Sequence, residues 1–308
     1  MRANMKLGHD VSESKSRWPE ITDDLLEELE SWGIERSLGK IPTEQLAIFA
    51  HSCYYDKSAT LKCMDTYYRM RRDVPDFFKK RDVLLDHHQQ NLKVVYYIEL
   101  PKPSPEGYRI IYHGLRNYNS SSYMLNDAVA ALLMTVDSNL YTEGCVPGHV
   151  FLFDMRGVRP GHLLRVSITN LRRFFEYLQE AMPIRLKAIH VLNCVWFMDK
   201  VLSLVRPFMK KELFDILHLH TGDVSDVYQY IPPECLPKDF GGRLDDVETL
   251  HAEQCQKLVR LRSYFLEEEQ LFRGYQSVSS RKSTAACAGT EGNVNGRSDE
   301  DAAGEDAG

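Results

Sequence analysis

The hydrophobic pattern of this chain changes character after Lys80. Before it, apolar residues recur every three or four positions, as on one face of a helix. Leu25, Leu26, Leu29 and Trp32 follow Thr22, a suitable N-cap. Leu46, Phe49, Ala50 and Cys53 follow Pro42 and Thr43, and Leu61, Met64 and Tyr68 follow Asp56. The spacing predicts three helices closing near Phe77 and Phe78, a helical module over residues 20–80. Beyond it, short β-rich runs alternate with helical stretches. The runs are 94–100 (VVYYIEL), 109–113 (RIIYH), 149–155 (HVFLFDM) and 188–194 (AIHVLNC). Helices are predicted over 121–141, 163–181 and 196–217, the last interrupted at Pro207. This alternation predicts an α/β domain with a mainly parallel sheet. A single long helix over 246–272 completes a domain spanning 81–272. Residues 1–19 are polar and without period. Residues 273–308 are Ser, Ala, Gly and acidic, so both ends are predicted to be disordered.

Composition narrows the function classes. The chain has 308 residues, 43% hydrophobic and 27% charged, with a net charge of -6, and this acidic balance argues against nucleic acid as a partner. The longest apolar run, 128–134 (AVAALLM), is far short of the ~18 residues a membrane span needs. The N-terminus lacks the apolar stretch of a signal peptide. Cys53, Cys63, Cys145, Cys194, Cys235, Cys255 and Cys287 include no CxxC pair, which reads as reduced thiols of a cytoplasmic protein rather than a zinc site.

Enzyme motifs are missing. No G-x-G-x-x-G, G-x-x-x-x-G-K-[ST] or G-x-S-x-G occurs. Two clusters keep an enzyme or metal reading open. Asp154 closes a predicted strand, a common catalytic position but equally a turn former ahead of Gly157. His218 and His220 form an H-x-H pair, with His190 on a strand. Neither has a partner nearby in sequence, so the reading favours structural roles, with no catalytic residue, metal or cofactor.

Four segments then fall into a known order. FLFDMRGVRPGH (151–162), PIRLKAIHVLN (183–193), VRPFMKKELFDILHLH (205–220) and PECLPKDFGG (233–242) resemble the CRAL-TRIO family, in its tocopherol- and retinaldehyde-binding branch. The stretch 46–78 is similar to that family's N-terminal three-helix segment. The resemblance implies a CRAL-TRIO fold with a mainly parallel sheet floor, a movable helical gate and a closed apolar pocket. It implies intracellular binding and transfer of a retinoid, tocopherol or similar lipid. By resemblance the pocket is lined by Ala131, Thr135, Phe151, Phe153, Val166, Phe174, Tyr177 and Leu178. Ile189, Val191, Met198, Val201, Leu202, Val205 and Met209 complete it. A basic set, Arg185, Lys187, Arg206, Lys210 and Lys211, would hold a phosphoinositide head group and couple transient membrane docking to release. The pattern departs at Glu212 and Ile216, where the branch is basic, and at Ala50, His51 and Ser52. The alternative is a module that senses lipid or targets membranes without transferring it. In that alternative the acidic tail and the helix over 246–272 would engage a protein partner, whose identity the sequence leaves open.

Overall fold

The structure is a computed structural model that describes residues 5–273 and Tyr275. The helices of the N-terminal half are α1 (Val11–Arg17), α2 (Asp23–Glu35), α3 (Thr43–Ser52), α4 (Lys57–Asp73), α5 (Pro75–Phe78) and α6 (Asp86–Asn91). Strands β1 (Val95–Glu99) and β2 (Arg109–Leu115) precede α7 (Leu125–Glu143). Then come β3 (His149–Asp154), α8 (Pro160–Leu163), α9 (Ile168–Glu180) and β4 (Leu186–Leu192). The chain continues through α10 (Met198–Val205), α11 (Lys211–Asp215), β5 (Leu217–Leu219), α12 (Val247–Arg260) and α13 (Arg262–Arg273). Thr22 and Asp56 cap α2 and α4 by accepting from the Leu25 and Ala59 N–H groups at 3.3 and 2.6 Å.

The five strands lie in sequence order, β1 antiparallel to β2 and the rest parallel. Alternation along each strand sends side chains to opposite faces. Phe151, Ile189 and Val191 join the core shared with α7, α9 and the N-terminal helices. Val150, Leu152 and Leu192 face Val227, Leu236, Phe240 and Leu250 on the other side. The molecule is thus three layers around a mainly parallel sheet, an α/β architecture.

The structure corrects several sequence expectations. Residues 1–19 were expected to be disordered, yet α1 forms within them. The Asp10 carboxylate caps it through Ser12 N at 2.8 Å, and the Gly8 N–H bonds Tyr141 O at 2.9 Å. Helix 163–181 is broken because Ser167 caps a new helix through Asn170 N at 3.3 Å. The stretch 196–217 is two short helices joined by a tight turn at Arg206–Phe208, since Pro207 cannot continue the hydrogen-bond ladder. Its last residues turn outward into β5, whose pairing starts where Ile189 N donates to Ile216 O at 2.8 Å. Three residues are too few to show a strand period. The helix predicted over 246–272 breaks at Leu261 and runs on to Arg273. The predicted acidic tail otherwise lies outside the described residues, as does Cys287. The six other cysteines are free.

One polar cluster joins the layers. Arg71 on α4 is fully buried and contacts Asp137 of α7 at 2.7 Å and Glu268 of α13 at 2.6 Å. Arg81 contacts the same two carboxylates at 2.6 and 3.1 Å. The Tyr67 hydroxyl donates to Glu268 at 2.7 Å, and Tyr177 of α9 accepts from Arg71 at 2.7 and 3.0 Å. Two cations and two anions leave the cluster formally neutral. Burial alone would raise the Asp137 pKa, but the Arg71 and Arg81 charges outweigh it and hold the carboxyl below its ordinary range.

Removing one partner strands the others in an apolar interior. Arg71→Met is expected to cost about 3–5 kcal/mol in urea denaturation. A loss under 1 kcal/mol would show that the cluster is not a structural tie. A second expectation concerns pH. His149 is buried and its Nε2 meets Asn139 Oδ1 at 2.7 Å. Burial, followed by the Arg109 and His51 charges, pushes its pKa from 6.5 down to about 3. The unfolded chain therefore binds the extra proton between those values, and stability falls as pH drops through that window. Wild type should lose about 2 kcal/mol more than His149→Gln between pH 7.5 and 5. Equal pH slopes for the two proteins would refute this.

Candidate functional site

An apolar cavity of about 290 Å³ lies over the carboxyl ends of β2, β3 and β4, where open parallel sheets commonly bind ligands. Phe153, Ile189 and Val191 form its floor. Val166, Phe174 and Leu178, from the α8–α9 connection and α9, form one wall. Met198, Val201, Leu202, Val205 and Met209 close it from α10 and the turn that follows. All eleven were expected from the sequence.

Four expected residues are not brought to this cavity. Ala131 and Thr135 are buried within α7, where the Thr135 hydroxyl donates to Ala131 O at 2.9 Å. Phe151 lies two residues deeper along β3 than Phe153 and fills the core between sheet and helices. The Tyr177 hydroxyl is taken by Arg71. Sequence reasoning also missed wall residues, among them His113 on β2, Tyr123, Met155, His162 and Phe175. His162 stood inside a quoted motif, and its position one turn before Val166 was an available signal.

The closing segment differs from every other helix wall. No residue of α10 is buried, although one of its faces is continuously apolar. Its far end is fastened to α9. Gln179 accepts from Lys210 N at 2.7 Å and donates to Phe208 O at 2.9 Å, and Glu180 ion-pairs with Lys210. Leu164 is 89% exposed, Ile168 51% and Trp196 84%, and each is within three residues of a cavity-lining side chain. Isolated exposed apolar residues are ordinary, but three beside one opening form a patch.

Asp154 and the histidines resolve geometrically. The Asp154 carboxylate accepts from Arg156 N and Nε at 2.9 and 2.6 Å, Asn193 Nδ2 at 2.8 Å and Tyr112 OH at 3.2 Å. All its acceptor sites are spent on holding the ends of β3 and β4 together. His190, His218 and His220 do meet, on the sheet face away from the cavity. His190 Nδ1 lies 3.0 Å from His220 Nε2, and its ring stacks on His218 at 4.9 Å beside Tyr230. Burial, then the two neighbouring imidazoles, lowers the His190 pKa to about 3. Among the described residues no group of three or more His, Cys, Asp or Glu is placed to hold a metal ion.

The basic set is spread along an edge. Arg185 donates to His51 O at 2.8 Å and stacks on Tyr54 at 4.1 Å, while Lys187 donates to the Tyr54 hydroxyl at 3.1 Å. Tyr54 and Tyr55 adopt φ of 53° and 65°, a left-handed turn costly for aromatic residues. Arg206 stacks on Phe214 at 3.6 Å, and Lys211 pairs with Asp215 at 2.5 Å. Between these cations lies a second, more polar cavity of about 600 Å³, lined by Lys62 and Lys210 but also by Glu180 and Glu212.

This geometry has known counterparts. The chain is 25% identical over 204 residues to human "Alpha-tocopherol transfer protein-like", covering 65% of this chain and 58% of that protein. It is 28% identical over 179 residues to rat "Clavesin-2", covering 58% and 55%. The chain thus spans little more than half the length of these curated relatives. The crystal structure of Sfh5 shares its fold, with a TM-score of 0.52 at 13% identity, over 83% of this chain and 99% of that one. Residues 18–88 match the Pinta-like UBA domain. Residues 93–242, which hold the sheet, the cavity and its closing helix, match the CRAL/TRIO domain, so the chain carries a CRAL/TRIO domain.

Proposed function

We propose that this protein binds one small, largely apolar lipid in the cavity over the sheet and carries it between membranes, without chemical change. The observation that carries this reading is the closing segment. A helix whose apolar face is only half-buried while it roofs an apolar space is completed by a ligand. Each Å² of hydrocarbon withdrawn from water is worth about 25 cal/mol. A cavity of about 290 Å³ sits near the small end of ligand pockets and suits a terpenoid or similar lipid better than a two-chain phospholipid. The relatives' names, one of them a tocopherol transfer protein-like protein, point the same way.

Opening would occur at a membrane from the water side; no described helix is long and apolar enough to cross one. Trp196, Leu164 and Ile168 would enter the interface. Arg185, Lys187, Arg206, Lys210 and Lys211 would meet anionic head groups, phosphoinositides among them. Each basic residue near an anionic leaflet contributes about 1 kcal/mol. Arg185 and Lys187 are the strongest members, since only aromatic rings, a hydroxyl and a carbonyl oppose them.

The test is lipid transfer between donor and acceptor vesicles. Val201→Trp, which fills the cavity, should cut transfer of a fluorescent retinoid or tocopherol at least about tenfold with the fold intact. Unchanged transfer would place the ligand elsewhere. Lys187→Glu with Arg206→Glu should slow transfer several-fold only when the acceptor vesicles contain phosphatidylinositol bisphosphate. Equal slowing with neutral vesicles would remove the head-group role. Tight binding with no transfer would favour a lipid-sensing module.

A further inference from the structure

The cavity wall is largely apolar, and two imidazole nitrogens on residues that line it stand without partners. His162 Nε2 and His113 Nδ1 are both buried, with no hydrogen bond to any described residue. Both rings line the cavity. A buried polar atom left unpaired costs about 1–3 kcal/mol, so two in one wall call for a partner.

The protonation of His162 follows from its neighbours. Its Nδ1 lies 3.0 Å from the Arg159 backbone N and 3.3 Å from the Arg159 carbonyl oxygen, and the shorter contact has the N–H donating to Nδ1. Burial lowers the pKa of the ring, opposed by the Arg159 backbone contact and helped by the Arg159 and Arg165 charges, and keeps it neutral. The single remaining proton is therefore on Nε2, and His162 is 5% exposed. The ring is steadied edge-on by Tyr123, centroids 5.7 Å apart. Across the wall His113 is gripped only by rings, Tyr97 at 5.2 Å and Phe153 at 5.4 Å. No lysine or arginine lines the cavity, and the only carboxylate there, Asp154, is fully engaged.

The geometry points to His162 as the residue that selects the ligand's polar end, its Nε2–H donating to an uncharged oxygen, a hydroxyl or carbonyl. An ionised carboxylate or phosphate would enter with no cation to meet it and is rejected. This rests on the lipid-carrier reading above and adds the specificity element to it.

The experiment uses three C15 probes of one chain: farnesol, farnesoic acid and farnesene. Equimolar mixtures are offered in neutral vesicles at pH 7.5. The protein is separated by gel filtration, and its bound ligand is extracted and quantified. Wild type should retain farnesol over farnesene by about tenfold, the worth of one satisfied buried hydrogen bond, and farnesoic acid least. His162→Asn keeps an acceptor where Nδ1 caps Arg159 but deletes the Nε2 donor. It should bring the farnesol-to-farnesene ratio close to one. In wild type, ¹⁵N NMR should show the His162 Nε2 resonance moving with farnesol and not with farnesene, a readout independent of how the variant folds. Equal retention of farnesol and farnesene by wild type, or a silent Nε2, overturns the assignment and leaves the carrier reading standing. Retention of none of the three overturns both.

Discussion

The buried cluster of Arg71, Arg81, Asp137 and Glu268 is the constraint on which the cavity depends. It draws α4, α7 and α13 to one point, and through the Tyr177 hydroxyl it also fixes the rotation of α9. On a helix, residues three and four apart share a face. Phe174, Tyr177 and Leu178 therefore turn together. With Tyr177 drawn to Arg71, its neighbours Phe174 and Leu178 are set against the sheet as the cavity wall. An apolar cluster of equal volume would serve stability as well. The fork of a guanidinium adds direction, since it accepts only one arrangement of its carboxylates.

The same arrangement explains why the space stays open. Along β3, Phe151 lies under the densely packed helices and is sealed, while Phe153 two residues on meets no helix of comparable burial. The far face of the sheet has no such gap, because the segment holding Val227, Leu236 and Phe240 covers it continuously. The apolar cavity thus lies at the carboxyl end of one face. Its cover is the one segment of the domain whose helix is short, broken by Pro207 and anchored chiefly at its far end through Gln179 and Glu180. A packed core resists continuous deformation, so movement is channelled into the element that owes least to it.

Much of this was legible in the sequence, and the reasons for the remainder are physical. Short β-rich runs marked four of the five strands, because buried parallel strands are rich in β-branched and aromatic residues. The fifth, Leu217–Leu219, has no room to show a period. Wall residues on β3, β4 and α10 were found because they sit in segments with family order and on faces that alternation identifies. Tyr177 and Thr135 do not reach the cavity, because a hydroxylated side chain on an inward face suits a pocket or a polar partner equally. The Tyr177 partner, Arg71, lies 106 residues away in sequence, and the Thr135 hydroxyl turns back to Ala131 O in its own helix. The charge cluster was invisible for the same reason: nothing local distinguishes a buried arginine from an exposed one.

The edge that carries the cations shows how local chemistry divides a patch that looks uniform in sequence. Lys210 is held by Glu180, which Lys62 also approaches at 3.7 Å, and Glu212 lines the same cavity. An anion arriving there must displace a carboxylate already in contact, and at close range that competition is not screened by salt. Arg185 and Lys187 face no carboxylate. They rest against Tyr54, on a left-handed turn that holds the ring over them. A ring face attracts a cation less than a phosphate does and leaves its N–H groups free to turn outward. Of five cations alike in formal charge, the pair at the start of β4 therefore meets aromatic and neutral polar groups, while Lys210 serves chiefly to fasten the closing segment.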